Sequence, residues 1–300
     1  MHNWGARIIR AAFWFAGAVL LAAVLVLTIH VSSNNLEFSR YNSGWNGTST
    51  FFSDLDRHHV IMVTDTSELA SYRNNTVLLI IAPSRTPSAA EISGYRSFLD
   101  QGNTLFLADD FGSGGEILRK LGSRITILEG NLSSIDRQYT DPQSIIVYRT
   151  TNESFVRDSV TLVLNRPAAL SGGSPLLMTS LLSWIDENGD KRLNGDEILG
   201  QYPVMTEEEI GKGKIVVLSD PSIFINSMQE SDQPGDNHRF IKGIVDTDGV
   251  VLVDQMNSRT CDAEGISEIL HLIRTTISIK LLFLALLVLA AIWAWRRKMV

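Results

Sequence analysis

The sequence predicts an α/β domain, with a buried parallel sheet between layers of helices, placed between two transmembrane helices. Short uninterrupted apolar runs, such as residues 76–83 and 104–110, are typical of strands that are buried on both faces. Helical patterns separate these runs, as the connections of a parallel sheet require. Two long apolar segments, residues 11–29 and 277–295, enclose the whole region.

The two long apolar segments are predicted to cross a membrane. Residues 11–29 carry no charge, and 19 residues span roughly 28 Å as a helix, which matches the apolar core of a bilayer. In the second segment Lys280 lies near one end, where its side chain can extend to the surface, and Trp293 and Trp295 suit the interface. A cleaved signal peptide is the alternative for the first segment, although the apolar run is long and no Ala-x-Ala pattern follows it.

Charge predicts the orientation and the kind of partner. Because basic flanks stay in the cytoplasm, both termini are predicted to be cytoplasmic and residues 31–276 to lie outside. Without the five basic flanking residues, 21 of the 26 Lys and Arg remain against 33 Asp and Glu. This acidic balance argues against nucleic acid and anionic lipid as ligands, and favours other membrane or surface proteins as partners. The flanking residues are Arg7, Arg10, Arg296, Arg297 and Lys298.

Cysteine and sequon usage agree with an outer-surface protein. Cys261 is the single cysteine, so no intramolecular disulfide can form and the domain depends on its core. Four N-x-S/T sequons, at Asn46, Asn74, Asn131 and Asn152, all fall in the segment predicted to lie outside. They indicate a glycosylated surface protein.

Five segments are predicted along the chain. Residues 1–30 hold the first anchor, and residues 31–57, rich in Ser, Asn and Gly, form an irregular juxtamembrane segment. The α/β domain covers residues 58–256. A linker over 257–276 leads to the second transmembrane helix and basic tail over 277–300.

Local signals place the elements of this domain. Ser88 and Glu91 form a capping box that begins a helix, and Gly102 is placed to end it. A shorter helix is predicted over residues 114–122. Strands are predicted over residues 58–65, 76–83, 104–110, 125–130, 144–149, 160–165, 214–220 and 250–255.

Several ordered motifs carry a family resemblance. They are "NNTVLLIIAPSRTPSAAEISGYRSFLDQGNTLFLADDFGSGGEILRKLG", "SWIDENGDKRLNGDE" and "GKGKIVVLSDPSIFINSM". Over residues 55–256 the chain resembles the domain-of-unknown-function family 4350, found mainly in archaeal membrane proteins. The resemblance implies a flavodoxin-like three-layer sheet, like that of class I glutamine amidotransferases, and a distant relation to accessory proteins of gliding-motility transporters. It implies no known activity.

The acidic stretch at residues 186–197 has the ligand spacing of an EF-hand calcium loop, which binds through positions 1, 3, 5, 7, 9 and 12. Leu193 fits the apolar eighth position. Lys191 stands where such loops usually need Gly, and helix breakers replace the exiting helix; residues 176–184 are predicted to supply the entering helix. The alternative is a solvated polar turn. The predicted Ca²⁺ ligands are Asp186, Asn188, Asp190, the Arg192 carbonyl, Asn194 and Glu197.

Carboxylates also recur where strands end, at Asp65, Asp109, Asp110, Asp220 and Asp254. Ligands of open α/β sheets bind beyond the carboxyl ends of the strands, so a polar crevice is one interpretation. The alternative, which we favour, is that each Asp caps the element that follows it. The glycine-rich loop "DDFGSGGE" resembles a phosphate cradle only loosely, and its two Asp residues would repel an anion.

The inventory for catalysis is short. An amidotransferase needs a Cys nucleophile with a His partner, but Cys261 follows the last strand rather than a strand-to-helix elbow. The leading hypothesis is therefore a non-catalytic, membrane-anchored surface protein that binds or scaffolds a partner and is stabilised by calcium. One alternative is an accessory subunit of a membrane transporter or export complex. The other is a hydrolase that uses Ser113, His238 and Asp110.

Overall fold

The computed structural model describes residues 35–55, 60–136, 139–151, 161–229, 235–245 and 249–262, together with Gly17 and Val156. Within this range, Leu36–Asp262 form one compact unit. The predicted membrane segments lie outside the described residues, Gly17 apart, and so does the sequon at Asn152. No helix in the described part of the chain is long and apolar enough to cross a bilayer.

The strands of the described residues form two sheets. The large sheet contains β1 (Val60–Val63), β2 (Thr76–Ile81), β3 (Thr104–Ala108), β5 (Ser144–Arg149), β6 (Thr161–Asn165), β8 (Ser174–Thr179), β10 (Pro203–Ile210), β11 (Gly213–Leu218) and β12 (Val250–Asp254). The small sheet contains β4 (Thr126–Ser134), β7 (Ala168–Ser171) and β9 (Ser183–Asp186).

The large sheet changes direction across its width. Its order is β1-β12-β2-β3-β11-β10-β8-β5-β6. The strands from β1 to β11 in this order run parallel, whereas every pairing from β11 to β6 is antiparallel. The α/β class is confirmed, but the sheet is mixed rather than parallel throughout. The strand predicted over residues 125–130 is real, but it belongs to the small sheet, which is antiparallel.

Helices cover both faces of the parallel half. The helices are α1 (Ser49–Leu55), α2 (Ala89–Asp100), α3 (Gly114–Leu121) and α4 (Asn237–Val245). Leu79 and Ile81 of β2 belong to the apolar core shared with α1 and α4. Leu78 and Ile80 belong to the core shared with α2 and α3. Because successive side chains of a strand point to opposite faces, β2 is apolar at every position from Val77 to Ile81.

The predicted helix signals hold where they are local. The Ser88 hydroxyl accepts the Glu91 N–H (3.2 Å), and the Glu91 carboxylate accepts the Ser88 N–H (2.7 Å), so the capping box begins α2. Gly102 follows α2 with φ 83°, and Gly122 ends α3 with φ 80°. Both glycines supply a left-handed backbone that other residues rarely adopt.

Residues 176–184 do not form the predicted entering helix. They are the end of β8, a turn and the start of β9. Met178 of β8 pairs with Tyr148 on one side and Pro203 on the other, so pairing with two distant strands determines the conformation. A short apolar run fits a strand as well as a helix, and only these partners distinguish the two.

The segment predicted to be an irregular juxtamembrane stretch is part of the domain. Helix α1 buries Phe51, Phe52 and Leu55, and the Phe51 ring lies 5.0 Å from the ring of Phe224. The compact unit therefore begins at Leu36 and ends at Asp262, beyond the predicted limits of 58 and 256 at both ends.

Candidate functional site

The acidic loop begins directly at the end of β9. Asp186 is the last residue of that strand and is only 1% exposed. Its carboxylate accepts the N–H groups of Gly189 (2.8 Å) and Lys191 (2.9 Å), and the amide of Gln143 lies 3.3 Å away. These bonds turn the chain back sharply around the carboxylate. A strand, rather than the predicted helix, positions the first residue of the loop.

Lys191 has the backbone conformation that the sixth position of a calcium loop requires. Its φ is 61°, in the left-handed region where such loops usually carry Gly. A non-Gly residue there costs roughly 1 kcal/mol or more. The Lys191 ammonium lies 2.8 Å from Asp141, outside the loop, and this ion pair helps to hold the turn.

The other predicted ligands close the loop on itself. Asn188 accepts the Asp190 N–H (2.9 Å), and Asp190 accepts the Arg192 N–H (2.8 Å). The Asn194 amide donates to Asp190 (3.2 Å), and this bond is the main cause that lowers the pKa of Asp190. The loop is thus wound by side-chain to backbone hydrogen bonds.

Glu197 spans the two ends of the loop. One carboxylate oxygen accepts the Glu187 N–H (3.2 Å) and the other accepts the Asn194 N–H (2.8 Å). Nowhere in the described residues do three His, Cys, Asp or Glu side chains form a group that could hold a metal ion. The predicted ligand set also includes the amide oxygens of Asn188 and Asn194 and the Arg192 carbonyl.

The carboxylates at the strand ends are buried and satisfied by nearby donors. Asp109 accepts the N–H of Gly114 (2.6 Å) at the start of α3. Asp220 accepts the Ser222 N–H (2.7 Å) and caps the short helix that begins at Pro221, and it also accepts the Asn165 N–H (2.6 Å) from β6. Each carboxylate therefore organises the loop that follows its strand.

Asp254 makes the densest of these networks. It is the last residue of β12 and is 0% exposed. Its carboxylate accepts the Tyr95 hydroxyl (2.7 Å) and the N–H groups of Met256 (3.1 Å), Asn257 (2.7 Å) and Ser258 (3.0 Å). Burial raises the pKa of Asp254, and the hydrogen bonds oppose that shift. The exposed Asp65, by contrast, has its pKa lowered by its cap bond to Ser67.

Three acids lie near one another at the ends of β3 and β11. Burial raises the pKa of Asp109 to about 7 and that of Asp220 to about 7. The charge of Asp110 adds to both shifts, and burial raises the pKa of Asp110 itself. The raised pKa values follow from burial and from the neighbouring charge of Asp110.

The candidate catalytic side chains are not brought together. Ser113 precedes α3 on one face of the sheet, whereas His238 is exposed on α4, on the other face. The Cys261 thiol donates to the Ser258 carbonyl (3.1 Å), and burial raises the pKa of that thiol. No hydrogen bond of the described residues joins Ser113 or Cys261 to His238.

A polar cavity at the far end of the sheet was not anticipated. It has a volume of about 590 Å³ and is lined by residues of β8, β10 and β11, by the turn between β7 and β8, and by Arg124, which precedes β4. Its buried Glu208 pairs with Arg124 (2.6 Å), and Glu207 pairs with Lys214 (3.0 Å). The sequence gives no local signal for it, since the lining comes from strands that are distant along the chain.

Comparison with known proteins identifies the family. A profile described as "Domain of unknown function (DUF4350)" matches residues 40–245, more than half of the chain. The chain belongs to the DUF4350 family. No curated protein matches this DUF4350 chain.

Solved structures resemble the DUF4350 domain only distantly. The mmIFT52 N-terminal domain matches at 16% identity with a TM-score of 0.45, covering 60% of this chain and 78% of that one. A thua-like protein from Bacteroides uniformis matches at 13% identity with a TM-score of 0.38, covering 66% and 80%. A β-galactosidase from Bacillus circulans matches at 12% identity with a TM-score of 0.35, and the match covers 63% of this chain but 30% of the enzyme. The chain thus spans less than a third of that β-galactosidase.

Proposed function

We propose that this protein is a non-catalytic binding or scaffold module, anchored in a membrane by residues 11–29 and 277–295, with its α/β domain outside the cell. One observation carries the proposal. The carboxylates at the strand ends, where an open α/β sheet would hold its ligand, accept hydrogen bonds from their own loops. Carboxylates that accept these hydrogen bonds stabilise the fold. They are therefore not available as partners for the predicted catalytic side chains.

We further propose that the sheet is flavodoxin-like and amidotransferase-like, which its helix-covered parallel half supports, and that the chain is an archaeal membrane protein, as the family resemblance implies. The absence of a paired nucleophile and base in the described residues favours a binding role over the amidotransferase or hydrolase chemistry of such sheets.

Topology is the part of this proposal that can be tested most directly. In a Cys261→Ser background, a cysteine introduced by Gly115→Cys lies on exposed α3, where an added side chain meets no atom within 4 Å. A membrane-impermeant maleimide applied to intact cells should label this variant and should not label Val300→Cys. Labelling of the C-terminal cysteine in sealed cells would contradict the predicted orientation.

The proposal includes calcium bound by the loop at residues 186–197. The register of oxygen groups supports it, and so does the left-handed backbone of Lys191 at the sixth position. Asp186 contributes a carboxylate that is already held in place by two N–H groups. Binding would require Glu197 to exchange its two N–H donors for the ion.

A melting experiment tests the calcium site. Calcium that binds only the folded state should stabilise the domain by about 2.7 kcal/mol at a roughly hundredfold excess over Kd, and magnesium should do much less. Glu197→Gln should remove most of the calcium shift. Glu209→Gln, an exposed acid on β10, is the matched control and should keep it. Equal melting in calcium and in chelator would identify the loop as a solvated turn.

A further inference from the structure

Exposed apolar side chains concentrate beside the acidic loop. Five of the eleven large hydrophobic residues that are exposed in the described chain lie there. We call them the apolar patch: Ile135 (42% exposed), Leu181 (68%), Leu182 (45%), Ile198 (74%) and Leu199 (40%). Scattered exposed leucines are ordinary, but a cluster of this kind is typical of an interaction surface.

Backbone hydrogen bonds bring the apolar patch together. The Ile135 N–H donates to the Leu182 carbonyl (3.0 Å), which joins the end of β4 to the β8–β9 turn. Ser183 bridges to Gly200, whose N–H donates to the Ser183 carbonyl (2.8 Å), so Leu182 and Leu199 lie on adjacent backbones.

The side of the patch formed by Ile198 is held in a fixed position as well. The Tyr202 hydroxyl donates to the Ile198 carbonyl (2.6 Å), and the Tyr202 N–H donates to the Thr179 hydroxyl (3.0 Å) at the end of β8. Because the backbone is ordered before any partner arrives, docking there would cost little conformational entropy.

The surroundings of the apolar patch are acidic. Asp136, Glu187 and Asp196 are exposed within five positions of it along the chain, and in the middle of the loop the exposed Asp190 is offset by the exposed Arg192. The neighbouring Lys191 is already paired with Asp141, as described above. A second copy of this chain would bring like charges together at the patch, and an anionic bilayer would be repelled in the same way.

We propose that the apolar patch is the docking surface for a partner protein whose contact region carries apolar side chains bordered by Lys and Arg. The inference rests on the proposed function and identifies the surface through which the module binds. Apolar contacts at the centre would supply most of the affinity, and the acidic border would select the partner by charge.

Site-specific photo-cross-linking of the full chain in its own cells tests this. A photoreactive amino acid replaces Leu181 in one variant and Ile198 in another; the control replaces Trp45, which is 69% exposed and lies outside the patch. Both patch positions should cross-link to the same partner, at a segment that carries apolar residues and Lys or Arg. The Trp45 position should not.

Two further variants separate surface chemistry from fold. Glu187→Lys combined with Asp196→Lys should lower the Leu181 cross-link by roughly tenfold or more, as expected for the loss of charge complementarity. Leu182→Ser should lower the Ile198 cross-link similarly. Both variants should melt at the temperature of the unchanged protein, since all three side chains are exposed. A cross-link that survives charge reversal would overturn the basic character of the partner.

The remaining outcomes overturn the inference in distinguishable ways. Cross-links from the patch to lipid or to a second copy of the chain would assign the surface to a bilayer or to self-association. A protein cross-link from Trp45 without one from the patch would leave the scaffold function standing and place its surface elsewhere. No protein cross-link from any of the three positions would refute both the docking surface and the scaffold function.

Discussion

Replacing Asp254 with Ala tests whether the buried carboxylates hold the fold together. The substitution leaves the Tyr95 hydroxyl and the N–H groups of Met256, Asn257 and Ser258 without their common acceptor. Asp254 is completely buried, so water cannot replace that acceptor unless the loop opens. The loop that crosses the ends of β2 and β12 should therefore detach or unfold.

The magnitude follows from these contacts. A hydrogen bond to a charged group contributes roughly 1.5–3 kcal/mol, and the cost of burying the carboxylate offsets part of that gain. Each buried donor that is left unpaired costs about 1–3 kcal/mol, and because the loop can open to water the total should stay near about 3–5 kcal/mol. We expect Asp254→Ala to lower the free energy of unfolding by that amount, a large share of the roughly 5–15 kcal/mol of an ordinary domain. Tyr95→Phe removes a single donor and should cost about 1–2 kcal/mol.

Urea unfolding of the unit Leu36–Asp262, followed by tryptophan fluorescence, provides the measurement. Asp65→Ala is the matched control, because Asp65 is an exposed cap and should cost about 1 kcal/mol. If Asp254→Ala cost no more than this control, with the same dependence on urea, the buried network would not stabilise the fold and our reasoning would be refuted. Tyr95→Phe combined with Asp254→Asn should be clearly non-additive, since the two side chains are in contact.

Two further predictions concern pH and chain geometry. The pKa of Asp109 and of Asp220 is about 7 in the folded protein against an ordinary 3.8, so the folded state binds more protons between these values. Stability should therefore be highest toward the acidic end of that window and fall as pH rises through about 7, by at most about 1.4 kcal/mol per pH unit for each group. In urea unfolding, the Asp109→Asn and Asp220→Asn variants should show a free energy of unfolding that depends less on pH. If the free energy of unfolding of the unchanged protein rises between roughly pH 5 and pH 7, the raised pKa values are contradicted. Gly213→Ala should destabilise strongly, because a Cβ there would lie 2.4 Å from the Leu99 and Asn103 carbonyls. Gly115→Ala adds a methyl group in a helix where no atom lies within 4 Å, so it should stabilise the domain by up to about 1 kcal/mol. Thermal melting should shift in opposite directions for the Gly213 and Gly115 variants.

Local signals in the sequence were sufficient for the strands of the parallel half and for α2 and α3 on one of its faces, but not for α1 and α4 on the other. The apolar run of β2 requires burial on both faces, and the Ser88 box needs no distant partner to begin α2. In the antiparallel half β5 and β6 confirm predicted strands, whereas β8 and β10 were not predicted. Residues 176–184 become strands because β5 and β10 pair with β8, and no short-range pattern records those pairings. Helix α1 was missed for the same reason, since Phe51 packs against Phe224 far along the chain.

The candidate site divides in a similar way. The spacing from Asp186 to Glu197 is local, and in the structure this stretch forms a tight turn with a left-handed backbone at Lys191. Calcium binding by this turn stays a prediction. The donors that bind each buried carboxylate, by contrast, can lie far away along the chain. Asp254 and Tyr95 are separated by 159 positions, so the role of that acid emerged only from the fold.

The position of β12 has a consequence for how the chain folds. Although β12 is the last strand in the described sequence, it lies between β1 and β2, which are among the first. During synthesis, the facing edges of β1 and β2 stay without their partner until residues 250–254 emerge. Both edges carry unpaired N–H and C=O groups, and the apolar β2 edge invites pairing with other chains. A chain truncated shortly before residue 250 would therefore yield an aggregation-prone sheet with two unpaired strand edges rather than a slightly shorter domain.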